Sequence, residues 1–138
     1  MTEPLSVHWE TGDRLKSITL PPVTRMELIQ YAGVSGDFNP IHTIDEEAEK
    51  AGLPGVIAHG MLTMAKISRY FSRYLENGWL QHFHTRFDGM VFVGDVLTID
   101  GSVVGKEERD TETVYRFEVF VRNQKGKRVA SGELALLV

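Results

Sequence analysis

Apolar and polar residues alternate along the second half of the chain with a period of two, the spacing of a β-strand that buries one face. This alternation predicts four strands, at residues 82–95, 96–105, 112–123 and 128–138. The turn-forming run at residues 124–127 separates the last two strands. Because short turns join consecutive strands, we expect these strands to pair antiparallel.

The first half of the chain contains a strand followed by a helix with recognisable ends. Residues 14–20 predict a strand, which two prolines close. Residues 24–33 have helical apolar spacing, and Thr24 with Glu27 matches a capping box at the helix start. Gly33 is expected to end this helix, because glycine is the usual residue just beyond a helix C-terminus.

Two more helices are predicted before the strand-rich half. Residues 44–52 indicate a short polar helix with an acidic start, and Asp45 is expected to cap it. Residues 59–78 predict a long helix that ends at Asn77-Gly78. Its charged residues recur at spacings of three and four, so they form one narrow stripe: Lys66, Arg69, Arg73 and Glu76. We therefore expect most of this helix to be buried.

These elements predict an α+β fold in which one curved antiparallel sheet wraps around one long central helix. The arrangement fits the hotdog shape, although periodicity alone does not single it out. A chain of 138 residues is the size of one domain and contains no linker or repeat, so we expect a single domain over residues 1–138.

Composition narrows the classes of function. The net charge of -4 gives no reason to expect nucleic-acid binding. The absence of cysteine excludes disulfides, thiolate zinc sites and a cysteine nucleophile. The N-terminal sequence lacks the basic and apolar regions of a signal peptide, and no apolar run reaches membrane-spanning length. We therefore expect a cytoplasmic protein that does not contact a membrane.

The segment GVSGDFNPIH, residues 33–42, places a carboxylate, an amide and an imidazole in one stiff loop. Pro40 disfavours helical geometry at Asn39, so the loop does not simply extend the preceding helix. Asp37 and His42 are candidates for general acid–base work on one shared water, with Asn39 orienting either partner. The structural alternative is an Asx-turn, in which these side chains bond their own backbone.

The start of the long helix offers a second candidate group. Backbone N–H groups there lack partners within the helix and carry the positive end of its dipole, and Gly60 lets another molecule approach closely. Gly60 N–H is thus a candidate oxyanion donor, or Gly60 is only a helix-start residue. Ser68 shares a helix face with apolar residues and either bonds its own helix or reaches the acid–base loop. His59 is predicted to be structural.

A metal site is a weaker alternative. Asp37, His42 and His59 are possible ligands, but no HExxH or comparable local spacing supports a metal. No dinucleotide fingerprint or P-loop is present. These residues therefore predict no metal site, dinucleotide site or P-loop.

The quoted loop, followed by AGLPGVIAHGMLTM and then VFVGD, resembles the MaoC-like dehydratases, the (R)-specific enoyl-CoA hydratase family. It is especially similar to single-hotdog members such as subunits of bacterial (3R)-hydroxyacyl-ACP dehydratases. The resemblance extends from about Tyr31 to Asp95. Many members have a proline before the segment at residues 91–95, whereas this chain has Met90, a change expected to reshape the acyl pocket.

The resemblance implies a reversible addition of water to trans-2-enoyl thioesters, which gives (3R)-3-hydroxyacyl thioesters. It places the catalytic aspartate at Asp37, the histidine at His42 and the oxyanion-hole amide at Gly60, with Asn39 and Ser68 in support. Asp37 is expected to be the base and His42 the proton donor or relay. The acyl group is carried on CoA or acyl carrier protein, and no metal or redox cofactor takes part.

The resemblance also implies a homodimer in which the sheets join edge to edge, or a heterodimer with a related hotdog subunit. Three alternatives to the CoA-linked hydratase stay open. They are a (3R)-hydroxyacyl-ACP dehydratase subunit of fatty-acid synthesis, a hotdog thioesterase, and a non-catalytic partner of a heterodimer.

Overall fold

The computed structural model describes residues 7–76 and 78–138. Within them, five strands form one antiparallel sheet in the order β1-β3-β4-β5-β2. The strands are β1 (Ile18–Thr19), β2 (Trp79–Phe87), β3 (Thr98–Arg109), β4 (Glu112–Arg122) and β5 (Arg128–Leu137). Strands β3, β4 and β5 follow one another as hairpins, and β2 pairs with β5 to form one edge of the sheet.

Three α-helices and one short 3₁₀ turn lie between β1 and β2. The helices are α1 (Arg25–Ser35), α2 (Asp45–Lys50) and α3 (Gly60–Ser72), and the 3₁₀ turn is Pro40–His42. The turn separates α1 from α2, as Pro40 predicts.

Helix α3 packs on the sheet through its apolar face. Ile67 and Phe71 are completely buried, and the ring of Phe71 lies 5.1 Å from that of Phe117 on β4. The alternation predicted for β4 is borne out, since Tyr115, Phe117 and Val119 are all buried. The predicted α+β arrangement of one antiparallel sheet on a central helix is therefore confirmed.

The flanks of α3 are more open than its sequence suggests. Met61 is 56% exposed, and Ala65 is also exposed. The prediction that most of the helix is buried is thus wrong for the single chain. The helix also ends at Ser72, before the predicted stop. Asn77, one of the two residues in that stop, lies outside the described residues.

Helix α1 has the predicted start but a different end. Thr24 Oγ1 accepts a hydrogen bond from Glu27 N–H at 3.1 Å, whereas the Glu27 carboxylate pairs with Lys66 of α3 at 2.8 Å. Only half of the capping box therefore forms. The helix continues past Gly33 to Ser35, and Gly36 ends it with a φ of 74°, a conformation that favours glycine.

Asp45, at the acidic start of α2, does not have the capping role predicted for it. Asp45 does not cap the helix but is its first residue, following Ile44. Its carboxylate accepts hydrogen bonds from Arg25 at 2.8 Å and from Val56 N–H at 3.4 Å. Asp45 thus joins α1 to the segment that leads into α3.

Two strand predictions were too long. The strand predicted at residues 82–95 ends at Phe87, and the strand predicted at residues 14–20 is reduced to Ile18–Thr19 with an isolated bridge from Arg14 to Ser102. The turn predicted at residues 124–127 is confirmed: Asn123 N–H donates to Lys127 O across it at 2.9 Å.

None of the described helices is long and apolar enough to cross a membrane.

Candidate active site

The loop between α1 and α2 is held by its own polar side chains. Asn39 N–H donates to Asp37 Oδ1 at 3.2 Å, and Ile41 N–H donates to Asn39 Oδ1 at 3.3 Å. The structural alternative for this loop, an Asx-turn, is therefore present. Asp37 uses only Oδ1 in that turn, so its second oxygen remains for other contacts.

The second oxygen of Asp37 faces the imidazole of His42. His42 Nε2 lies 3.8 Å from Asp37 Oδ2. The Asp37 side chain is 53% exposed, whereas that of His42 is 9% exposed. The separation is too long for a direct hydrogen bond, but it lets both atoms reach one water oxygen at about 2.8 Å. The loop thus brings together the two groups predicted to share a water.

A backbone carbonyl determines which nitrogen of His42 faces Asp37. His42 Nδ1 lies 2.7 Å from Ile57 O, and a carbonyl oxygen only accepts hydrogen bonds, so Nδ1 is the protonated nitrogen. In the neutral ring, Nε2 is therefore the nitrogen without a hydrogen, and it faces Asp37. This bond also joins the loop to the segment just before α3.

Gly60 is the first residue of α3, and its amide forms no hydrogen bond to another described residue. A Cβ at this position would lie 3.2 Å from ring atoms of Phe87, at the end of β2. The position therefore has little room for a side chain, and the N–H at the positive end of the helix is available to a ligand.

His59, which the sequence predicted to be structural, directly contacts the acid–base loop. Its ring stacks on that of His42 with centroids 3.8 Å apart, and its Nε2 lies 3.2 Å from Asp37 O. The sequence signal was its position immediately before Gly60. The contact with Asp37 joins residues 22 positions apart and could not be read from that position.

Ser68 is half-buried, and among the described residues its hydroxyl has no hydrogen-bond partner. It lies on the flank of α3 that includes Met61, Met64 and Ala65. Neither contact predicted for Ser68, with its own helix or with the acid–base loop, is made. Its supporting role stays a prediction.

Asp37, His42 and His59 each offer a ligand atom, and these atoms lie within 4.8 Å of one another. The two imidazoles are stacked with centroids 3.8 Å apart and an interplanar angle of 24°, so their in-plane lone pairs lie in two separate, nearly parallel planes and do not converge on one point. His42 Nδ1 and His59 Nε2 also face backbone carbonyls. The cluster is therefore poorly arranged to chelate a metal.

A turn missed by the sequence analysis supports the start of α3. Buried Asp95 accepts hydrogen bonds from Phe92 N–H and Gln124 Nε2, both at 2.9 Å. The turn pairs with the segment before α3, where Ala58 N–H donates to Val91 O at 2.8 Å. Met90, in place of the family's proline, is 51% exposed just before this turn.

A groove of about 730 Å³ runs along another side of α3. Leu62 and Tyr70 contribute apolar surface to it, and Arg69 and Arg73 contribute positive charge. Asp37, His42 and Gly60 do not line this groove. In its wall, Tyr70 Oη donates to Lys16 O at 2.6 Å, and burial is the main cause that raises the pKa of this phenol.

Several known proteins resemble this chain. An R-hydratase from Pseudomonas aeruginosa shares 31% identity and a TM-score of 0.82, over 93% of this chain and 81% of the other. A mitochondrial 3-hydroxyacyl-[acyl-carrier-protein] dehydratase from Arabidopsis thaliana is 33% identical over 62% of this chain and 50% of its own length. A fatty acid synthase subunit beta from Aspergillus oryzae is 48% identical over half of this chain.

The chain spans only 4% of the length of that synthase subunit. The overlap with the R-hydratase covers nearly all of the chain and confirms the predicted hotdog architecture. The MaoC like domain matches residues 9–124, which include the acid–base loop, all of α3 and most of the sheet. The chain therefore belongs to the MaoC-like dehydratase family.

Proposed function

We propose that the chain catalyses the reversible addition of water to trans-2-enoyl thioesters, giving (3R)-3-hydroxyacyl thioesters. The observation that carries this proposal is the 3.8 Å separation of Asp37 Oδ2 and His42 Nε2, which suits two groups that hold one water. The Gly60 N–H, exposed at the start of α3, supplies a donor for the thioester oxygen.

In the hydration direction, Asp37 takes a proton from the water while the water oxygen bonds to C3 of the substrate. The electrons of the double bond move towards the thioester carbonyl, where Gly60 N–H stabilises the negative charge. Protonated His42 then gives its Nε2 proton to C2. Asp37 is left protonated and His42 neutral, and a proton passing between them restores the starting pair.

The contacts of His42 support this division of roles. Because Nδ1–H remains bonded to Ile57 O, Nε2 receives and releases the proton without a rotation of the ring. Asn39 holds Asp37 through the other carboxylate oxygen, so Oδ2 keeps its direction towards the water. Dehydration is the same sequence in reverse, with His42 as the base and Asp37 as the acid.

The test is an assay with crotonyl-CoA, in which hydration removes the absorbance of the conjugated double bond. We expect turnover, and analysis of the product on a chiral column should give the (3R) isomer. Release of free thiol without loss of the double bond would indicate a thioesterase and contradict the proposal. An (S) product would contradict the proposed stereochemistry.

A second candidate function uses the same chemistry on acyl carrier protein. It is favoured by the similarity to the Arabidopsis dehydratase, whose name specifies that carrier. The groove along α3, which Arg69 and Arg73 line, offers positive charge to either carrier. Comparison of kcat/KM for crotonyl-CoA and crotonyl-acyl carrier protein distinguishes the two candidates. A higher value for the protein-linked substrate supports the dehydratase subunit.

We further propose that the chain works as a homodimer joined along β2. This strand forms an edge of the sheet, and Trp79 and Phe87 on it are 65% and 46% exposed. Phe87 lies against the start of α3, where exposed Met61 extends the apolar surface. A second copy on this surface would cover apolar area and satisfy the unpaired edge of β2. The reaction requires no cofactor in this proposal.

A further inference from the structure

We propose that His59 is a positioning residue, which holds the acid–base loop and the oxyanion donor in a fixed relationship through one side chain. The proposal rests on the proposed function, since it concerns how the reacting groups of that site are aligned. No proton passes through His59 in this account. Its hydrogen bond to the Asp37 carbonyl is the central contact.

The hydrogen bond between His59 and Asp37 has only one possible direction. His59 Nε2 lies 3.2 Å from Asp37 O. The carbonyl oxygen has no proton to give, so Nε2 is the donor. His59 immediately precedes α3, and this bond therefore joins the start of the helix to the backbone of the residue proposed as the base.

The imidazole of His59 also stacks on that of His42. The His59 ring lies on the His42 ring with centroids 3.8 Å apart, and Tyr31 contacts His59 at 4.9 Å in an edge-on arrangement. His59 is only 2% exposed, so it has no space into which to swing. The His42 ring consequently cannot tilt towards α3 without moving the buried His59 ring, which Tyr31 of α1 also contacts.

His59 is also joined covalently to the proposed oxyanion donor, Gly60. The Gly60 amide is part of the peptide bond that links Gly60 to His59. The residue whose side chain holds Asp37 and His42 therefore also fixes the position of the Gly60 N–H. Three reacting groups from separate segments thus share one anchor. Such alignment matters because a displacement of about 1 Å in reacting groups costs up to about a hundredfold in rate.

The other nitrogen of the His59 ring gives a further reason to assign a role to the bond with Asp37. His59 Nδ1 is buried and has no hydrogen-bond partner among the described residues. An unpaired buried nitrogen contributes nothing to stability and is costly to desolvate, so an apolar ring would suit a purely structural position better. The bond from Nε2 to Asp37 is the contact that an apolar ring would lose.

Two substitutions separate the contributions of His59. In His59→Gln, the amide nitrogen lies as many bonds from the backbone as Nε2, so the donor is kept and the stacked ring is lost. His59→Phe keeps a stacked ring and removes the donor. His8→Gln is the matched control, because the exposed His8 has no contact with the site.

We expect kcat for crotonyl-CoA hydration to fall in the order wild type, His59→Gln, His59→Phe. The loss in His59→Phe should be about tenfold to hundredfold, with KM changed less than about twofold, because alignment rather than substrate binding is impaired. The control should match wild type. A kcat in His59→Phe equal to or above that in His59→Gln overturns the proposal, provided that both variants melt cooperatively.

A measurement independent of activity keeps this inference distinct from the proposed function. The Asn39 amide donates to Asp37 Oδ1, so its hydrogen exchange reports the order of the loop. Exchange should be faster in His59→Phe than in wild type and His59→Gln. If the wild type fails to hydrate crotonyl-CoA, the proposed function is wrong. The exchange rates alone then decide whether His59 positions the acid–base loop. Equal exchange in His59→Phe and wild type overturns the positioning role.

Discussion

The ring of Phe87 lies against Gly60, with three ring atoms 3.2–3.3 Å from the place that a Cβ on Gly60 would occupy. Strand β2 thus ends beside the first turn of α3, and the contact leaves the Gly60 amide little freedom to move. A methyl group at residue 60 has to displace either the ring or the backbone. The ring is 46% exposed and takes up part of this displacement, so the fold tolerates the methyl group, and the backbone at residue 60 takes up the rest.

Gly60→Ala should therefore reduce activity more than stability. Crowding against Phe87 shifts the amide from the thioester oxygen, and we expect kcat to fall by about tenfold or more, since loss of an oxyanion donor costs about 10²–10³. The melting temperature should change little. Steady-state kinetics and thermal unfolding of the variant measure both effects.

Phe87→Ala provides the matched comparison. The double variant Gly60→Ala/Phe87→Ala should recover part of the kcat lost in Gly60→Ala, because the added methyl group then meets no ring. Solution mass must be compared for each variant, since Phe87 is also part of the proposed dimer surface. A kcat for Gly60→Ala equal to that of wild type would show that the position of this amide is not critical.

Asp37→Asn should abolish most hydration while preserving the loop. The Asn side chain still offers Oδ1 to the Asn39 amide but cannot take a proton from water. We expect kcat to fall by roughly 10²–10⁴ with a melting temperature close to that of wild type. Near-normal turnover by this variant would show that Asp37 is not the base that takes the proton from water.

Two substitutions of His42 distinguish its two nitrogens. In His42→Asn, the amide nitrogen replaces Nδ1 and still donates to Ile57 O, but nothing replaces Nε2. In His42→Gln, the amide nitrogen replaces Nε2, and the bond to Ile57 is lost. Both should lose roughly 10²–10⁴ in kcat, because neither side chain transfers a proton, and His42→Asn should be the more stable. Comparable activity in His42→Asn and wild type contradicts a proton-transfer role for Nε2.

The local features of this fold were readable because they depend on neighbouring residues. The periodicity located β3, β4 and β5, and Thr24 marked the start of α1. The loop chemistry was also local, since Asp37 and His42 are five positions apart. The predictions that were wrong concern the ends of elements. Helix α1, for example, continues through Gly33, because tertiary contacts decide how far a helix extends.

Most of the contacts in the site that the sequence did not predict depend on distant partners. His59 reaches Asp37 across 22 positions, and Phe87 reaches Gly60 from the end of β2. The carbonyl of Ile57 selects the nitrogen of His42, and no side-chain pattern encodes a backbone acceptor. Only the packing of α3 against β2 and the acid–base loop brings these groups together.

Chelators should leave the activity unchanged. Stacked imidazoles whose lone pairs lie in separate, nearly parallel planes give Asp37, His42 and His59 a poor geometry for a metal, and the proposed steps use none. We expect kcat after dialysis against EDTA to equal that of untreated protein. A loss that Zn²⁺ or Mg²⁺ restores would contradict the expectation of a metal-independent reaction.

The mass in solution should be twice that of one chain. Trp79→Lys places a charge on the exposed edge strand that we propose as the dimer surface, whereas Val104→Lys adds the same charge at an exposed site on β3. We expect Trp79→Lys to shift the population towards monomer and Val104→Lys to remain dimeric, as measured by light scattering. A wild-type chain that is monomeric at assay concentrations refutes the dimer.

The raised pKa of Tyr70 predicts how stability depends on pH. Burial, the largest cause, disfavours the phenolate, so the pKa in the folded protein lies above its ordinary value of 10.0. The folded state therefore holds this proton more tightly than the unfolded chain does. The stabilisation is fully present below pH 10.0 and is lost as the pH rises towards the folded pKa.

Tyr70→Phe removes both this titration and the hydrogen bond to Lys16 O. At neutral pH the variant should lose about 1 kcal/mol of unfolding free energy, because the Lys16 carbonyl loses its donor. Between pH 9 and 11 the stability of wild type should decline more steeply than that of Tyr70→Phe. The difference in unfolding free energy between the two proteins should therefore narrow. Urea titrations across this range measure it, and a difference that widens with pH would contradict the raised pKa.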